Sequence, residues 1–141
     1  MIQIIAGGKG KGKTKILLDK VNTEVTQSKG TIVYLDKNTK HMYDLHKKVR
    51  LINVKDYCVE THEEFLGFIC GMISQDHDLQ KVFLDCFLNI SCIEDTDISY
   101  VPIIEKLDVI SSKFDVDFVI SMSVDAADMP ESIKEKVIVA L

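Results

Sequence analysis

Apolar residues enter this chain in short dense runs, separated by stretches in which they recur at helical spacing. Residues 1–6 form an Ile-rich run bounded by glycines, the pattern of a strand buried on both faces. Leu17, Leu18, Val21 and Val25 then recur at helical spacing over 13–28, and Lys29-Gly30 supplies a stop. A second β-branched run occupies 31–36. A polar stretch at 38–48 reads as helical and leads into a short apolar run at 49–54. Thr61, with Glu64 three residues later, is a capping box; its helix carries Phe65, Ile69, Met72 and Ile73 on one face and runs to about Gln75. Residues 81–88 read as a buried strand ending near Asp85. Ile103, Ile104, Leu107, Ile110 and Phe114 mark an amphipathic helix, with Pro102 tolerable in its first turn. Strands follow at 118–122 and 137–141, with a helix of one or two turns starting near Asp128 between them. Apolar strands alternating with helices predict one α/β domain over 1–141, a three-layer α/β/α sandwich around a mostly parallel sheet.

Composition agrees with that reading. A chain of 141 residues, 46% hydrophobic and 28% charged, has the profile of one ordinary globular domain. At this length burial is extensive enough that the core needs no disulfide or metal staple. Cys58, Cys70, Cys86 and Cys92 show no CxxC spacing and read as reduced, buried thiols of a cytoplasmic protein. No signal-like segment opens the chain and no run of about 18 apolar residues occurs, so secretion and membrane spanning are not expected.

The net charge of −5 conceals an asymmetry: residues 1–50 hold 11 Lys and Arg against 4 Asp and Glu, and the remainder holds 6 against 18. A basic half of this kind suggests either a nucleic-acid surface or a local phosphate site. The motif at its centre favours the second. Gly7-Gly8-Lys9-Gly10-Lys11-Gly12-Lys13-Thr14 fits GxxxxGK[ST] at every fixed position, directly after a predicted strand and before a predicted helix, which is the context the motif requires. Glycines let backbone N–H groups wrap a phosphate, and the helix start adds the positive end of its dipole. The expected phosphate-binding residues are Gly7, Gly8, Lys9, Gly10, Lys11, Gly12, Lys13, Thr14 and Lys15. Lys13 should reach the β- and γ-phosphates and the Thr14 hydroxyl should bind Mg²⁺, with ATP or another nucleoside triphosphate as ligand. A dinucleotide fingerprint is disfavoured, because Lys13 and Lys15 stand where its third glycine is needed. The carboxylate that completes a magnesium site should lie at the end of a buried strand facing the loop, and Asp85 is the Walker B candidate. Lys13 and Asp85 are thus the expected catalytic pair, and Thr14 and Asp85 the metal ligands.

With these residues in place the chain resembles a short stand-alone RecA-like P-loop ATPase core, over nearly its whole length. Residues 32–36 resemble the family's second strand, whose terminal aspartate is followed two residues later by a catalytic glutamate; that place here is Asn38. Residues 41–45 resemble the family's short helix, 50–54 its third strand, and Val119-Ile120-Ser121-Met122-Ser123 the strand whose polar end senses the γ-phosphate. That sensing end offers Ser121, Ser123 and Asp125 here. The resemblance implies the strand order 49–54, 31–36, 82–85, 117–122, 2–6, 137–141. Type II thymidine kinases share the architecture, but they carry a glutamate after the Walker B aspartate and a cysteine-based zinc lobe, and this chain has neither.

The departures limit the expected activity. Cys86 follows Asp85 and Asn38 cannot take a proton from water, so the general base is missing from both usual places, with Asp36, Asp125 and Glu94 as substitutes. The lone arginine, Arg50, leaves little for a ring motor that inserts a cation into a neighbour's site. The expectation is a nucleotide-binding protein with weak or partner-dependent hydrolysis, acting as a homodimer or with a protein partner. The alternatives are a small-acceptor kinase, a nucleic-acid-associated accessory protein, and an adaptor in which ATP is a structural ligand. Nucleic acid is disfavoured as a partner: no basic, aromatic-interleaved segment is read and Trp is absent. His41, His46, His62 and His77 lack metal-ligand spacing and read as surface or helix-end residues.

Overall fold

In the computed structural model, which describes residues 1–141, the strands β1 (Ile2–Ala6), β2 (Thr31–Asp36), β3 (Arg50–Asn53), β4 (Leu79–Leu84), β5 (Asp117–Met122) and β6 (Val137–Ala140) form one sheet in the order β3-β2-β4-β5-β1-β6. Every pairing is parallel, and the order is the one expected from the sequence. All strand C-termini therefore lie along one rim. In the central strands the runs 4–6, 32–35, 82–84 and 118–120 are buried because both faces of the sheet are covered, and Gln3, Lys81 and Asp117 lie toward the strand starts.

Ile5, Ile32, Tyr34, Phe83 and Val119 point to one face, where Leu17, Val21 and Val25 of α1 (Lys13–Val25) pack on them. Ile4, Val33, Val82, Leu84, Phe118 and Ile120 point to the other. There they meet Phe65 and Ile69 of α2 (His62–Gln75), Phe87 and Ile90 of α3 (Phe87–Ile90), and Ile104 and Leu107 of α4 (Val101–Phe114). A sheet with helices on both faces is the α/β arrangement that the sequence pattern predicts. No helix is long and apolar enough to cross a membrane.

The capping box forms with a shift of one partner. Thr61 Oγ1 accepts from Glu64 N at 3.1 Å, but the Glu64 carboxylate reaches back to Glu60 N at 2.9 Å, one residue before the cap. Pro102 lies in the first turn of α4, and α5 (Glu131–Lys134) is the short helix expected after Asp128.

One stretch differs from expectation. Residues 37–49 are a succession of turns, not a helix. Polar side chains there take over the backbone groups that a helix would use: Asn38 Oδ1 accepts from Lys40 N at 2.9 Å, and Asn22 of α1 both donates to Asp44 O and accepts from His46 N, each at 2.8 Å. The strand in 81–88 ends at Leu84, next to Asp85 as expected; Cys86 then adopts a left-handed conformation (φ 53°), and α3 follows it at once. The four cysteines are free, but Cys58 is exposed and the other three are half-buried.

Candidate functional site

The loop of residues 7–14 leaves the C-terminal end of β1 at the middle of the rim and runs into α1. Three of its glycines hold positive φ, Gly7 at 156°, Gly10 at 77° and Gly12 at 92°, values that a side chain would strain. Gly7 is needed for space: a Cβ there would come 3.0 Å from Leu141 Cβ and 3.2 Å from Leu141 O, and Leu141 is itself held by its N–H on Ala6 O at 2.9 Å. Gly12 precedes α1 without a side-chain cap, so the first-turn amides have no internal acceptor beyond a long bond from Ile16 N to Gly12 O at 3.4 Å. Backbone donors and the positive helix end thus converge on the same point.

Lys13 is 9% exposed, and its ammonium donates to Gly8 O at 2.9 Å. That uses one of three donors. Burial lowers its pKa, opposed by the nearby Cys86 and Asp85. A buried cation with donors to spare fits an anion.

Asp85 follows β4 directly and is 1% exposed. Its Oδ1 accepts from Ser121 Oγ at 2.6 Å, Cys86 N at 2.9 Å and Thr14 Oγ1 at 3.2 Å; its Oδ2 accepts from Tyr34 Oη at 2.7 Å. Four elements, the loop after β4 included, meet at one carboxylate: Thr14 comes from α1, Tyr34 from β2 and Ser121 from β5. One of these partners, Tyr34, is not singled out by the sequence. Tyr34 reads there as one more apolar strand residue, and its alternation within 31–36 is the sole signal that it shares a face with α1. Burial, and then the Asp85 charge, push the Tyr34 phenol well above its ordinary range, so it remains a donor.

A cavity of about 340 Å³ opens between these groups, a volume within the usual range for small-molecule sites. Of the expected residues, Lys9, Gly10, Gly12, Lys13, Thr14 and Asp85 line it, together with Ser121 and Ser123 of the expected sensing strand. Gly7 and Gly8 shape the loop behind it, and Lys11 and Lys15 are exposed on its outer side. Asn38 is an exposed turn residue away from the cavity. Lys37, Cys86, Phe87, Leu88 and Glu94 also line the cavity. Sequence reasoning did not assign Lys37, which follows β2 and faces inward by virtue of the rim.

Asp36 ends β2, is 2% exposed, and accepts from Lys37 N at 2.7 Å. Ligand atoms of Asp36, Asp85 and Cys86 all lie within 4.8 Å of one another. Burial, chiefly, raises the Asp36 pKa, with Asp85 adding to it against the Lys37 bond, and burial with the two carboxylates lifts the Cys86 thiol to about 11. Hydroxyl and carboxylate oxygens at Thr14 and Asp85 form a donor set that suits a hard cation such as Mg²⁺ rather than a soft one. Arg50 stands at the start of edge strand β3 and pairs with Asp76 at 3.7 Å.

No protein-family model matches the chain, and a search of curated proteins finds no match.

Proposed function

We propose that this chain binds a nucleoside triphosphate, most simply ATP, with Mg²⁺ through a P-loop of RecA-like type, and hydrolyses it weakly or with a partner's help. The observation that carries the reading is the 3.2 Å hydrogen bond from Thr14 Oγ1 to Asp85 Oδ1 beside the buried Lys13 ammonium. A hydroxyl at a helix start, a strand-end carboxylate and a lysine with free donors are the three groups that a magnesium–triphosphate needs, and here they share one cavity. The strand order supports the same reading, since it places β1 and β4 on either side of β5. Bound Mg²⁺ would neutralise charge on the β- and γ-phosphate oxygens. The loop amides and Lys13 would orient the phosphates, Thr14 would ligate the ion, and Asp85 would hold its water shell.

The test is thermal unfolding with ATP, GTP and their diphosphates, each with Mg²⁺. At a ligand concentration 100 times Kd the expected stabilisation is about 2.7 kcal/mol. Lys13→Ala should abolish it, and Asp85→Asn should remove its dependence on Mg²⁺. An unchanged response in Lys13→Ala overturns the reading, and steady turnover of several per second by the isolated chain overturns its hydrolysis clause.

A second reading, a nucleic-acid-associated accessory protein, is favoured by one feature. Lys37, Lys40, Lys47 and Lys48 stand exposed on the turn segment that follows β2, and the same segment carries Tyr43, which is 91% exposed.

A further inference from the structure

Hydrolysis requires a group that takes a proton from the attacking water, and the two usual places lack one. Asn38 is exposed and turned into its own loop. Position 86 is a cysteine and offers no carboxylate. Asp85 is engaged by four donors. Asp36 is 2% exposed, has one oxygen on Lys37 N and does not line the cavity, and neither does Asp125, which precedes the 3-10 turn after β5.

Glu94 is different. It is the one carboxylate besides Asp85 that lines the cavity, sharing its wall with Lys13, Thr14 and Ser123. It is half-buried and takes part in no salt bridge. Its position is also fixed. Glu94 N donates to Leu88 O at 2.9 Å, and its Oε1 accepts from Asn89 Nδ2 at 3.1 Å, leaving Oε2 without a protein partner. Asn89 belongs to α3, the helix that follows Asp85 after the left-handed turn at Cys86. The turn that ends the Walker B strand therefore also brings an acid nine residues downstream back to the same cavity.

We propose that Glu94 is the general base of this site, a role that rests on the nucleotide-binding reading above. Water held between Glu94 and the γ-phosphoryl group gives a proton to the carboxylate as its oxygen bonds to the γ-phosphorus. The bond from that phosphorus to the β–γ bridging oxygen breaks, and its electron pair leaves with the nucleoside diphosphate. Glu94 then returns its proton to phosphate or solvent.

The experiment follows phosphate release from Mg-ATP in single turnover, with protein in excess, and measures Mg-ATP affinity by calorimetry on the same samples. The 141-residue chain is compared with Glu94→Gln, Glu94→Asp and Asp97→Asn, the last an exposed carboxylate of the same loop outside the cavity. Glu94→Gln preserves the acceptor for Asn89 and should lower the rate constant about 100-fold or more, the range of general-base removal, with Kd within about twofold. Glu94→Asp should recover part of the rate, and Asp97→Asn should match wild type. Wild-type binding with no phosphate release, or Glu94→Gln turning over like wild type, overturns the assignment of Glu94 and leaves nucleotide binding standing. Absence of Mg-ATP binding by the wild type overturns both.

Discussion

At the scale of single residues the site is organised around Asp85, and the distribution of its donors has a consequence. Three donors crowd Oδ1, whereas Oδ2 has Tyr34 Oη alone, so the remaining acceptor capacity for metal-bound water lies on Oδ2. Tyr34 decides where that capacity points. Its ring is fully buried and stacks on Phe83 with centroids 6.5 Å apart, so it cannot follow a moving carboxylate. Tyr34→Phe keeps the ring and deletes the bond. On the nucleotide-binding reading the apparent affinity for Mg²⁺ should fall about tenfold, the low end of what partners of metal ligands contribute, while metal-free nucleotide affinity holds. Loss of the buried bond should also cost about 1–3 kcal/mol of stability. Titrating Mg²⁺ at fixed nucleotide measures the first effect, and an unaltered Mg²⁺ midpoint would remove Tyr34 from the positioning of Asp85.

At the scale of elements, legibility followed the competition between backbone and side-chain hydrogen bonds. The central strands, α1, α2 and α4 were readable because burial imposes a periodicity that survives in sequence, and β1 followed by glycines and Lys13-Thr14 placed the loop. Residues 37–49 were not readable as turns, because what prevents a helix there is Asn22, a residue of another element reaching across to Asp44 and His46. Phe87 and Ile90 are as apolar as a strand, and α3 exists because Cys86 turns left-handed and Phe87 packs edge-on against Phe65 at 6.0 Å. Asp85 was legible from its place after an apolar run; the inward return of Glu94 depended on α3 and was not. The opposite rim shows the same kind of long-range control. Thr31 N donates to Asp78 O at 2.8 Å, and a Cβ on Gly30 would lie 2.3 Å from that oxygen and 2.6 Å from Gln80 Cγ. Gly30→Ala must therefore push β2 from the start of β4. The expected loss is about 1–3 kcal/mol, read as a lower denaturant midpoint at unchanged slope. The thermal response to Mg-ATP should persist, because Gly30 lies at the far end of the strand from the cavity; loss of that response would mean that the two rims are coupled.

At the scale of the whole molecule the charge asymmetry divides into two parts that the linear count merges. Lys9, Lys11, Lys13 and Lys15 belong to the loop after β1 and the start of α1, and Lys37, Lys40, Lys47 and Lys48 belong to the turn segment after β2. Two residues link them, since Lys9 and Lys37 line one cavity. The turn segment adds what the loop lacks: an exposed aromatic face at Tyr43 beside a half-exposed Met42. Cations that track a backbone around a ring that can stack on a base suit a single strand better than a duplex. If the second reading holds, a short fluorescent single-stranded oligonucleotide should bind at 50 mM salt. With about four phosphates neutralised, affinity should then fall about 50-fold by 200 mM. Tyr43→Ala should weaken binding about tenfold, the value of one base stack, without changing that salt slope, whereas Lys47→Ala with Lys48→Ala should flatten the slope. Anisotropy titrations separate these outcomes. Binding that ignores Tyr43 but follows the lysines would be unspecific attraction to a basic face. No binding at 50 mM would return the turn segment to the role of a solvated collar around the nucleotide cavity, with the acidic remainder of the chain deciding the net potential.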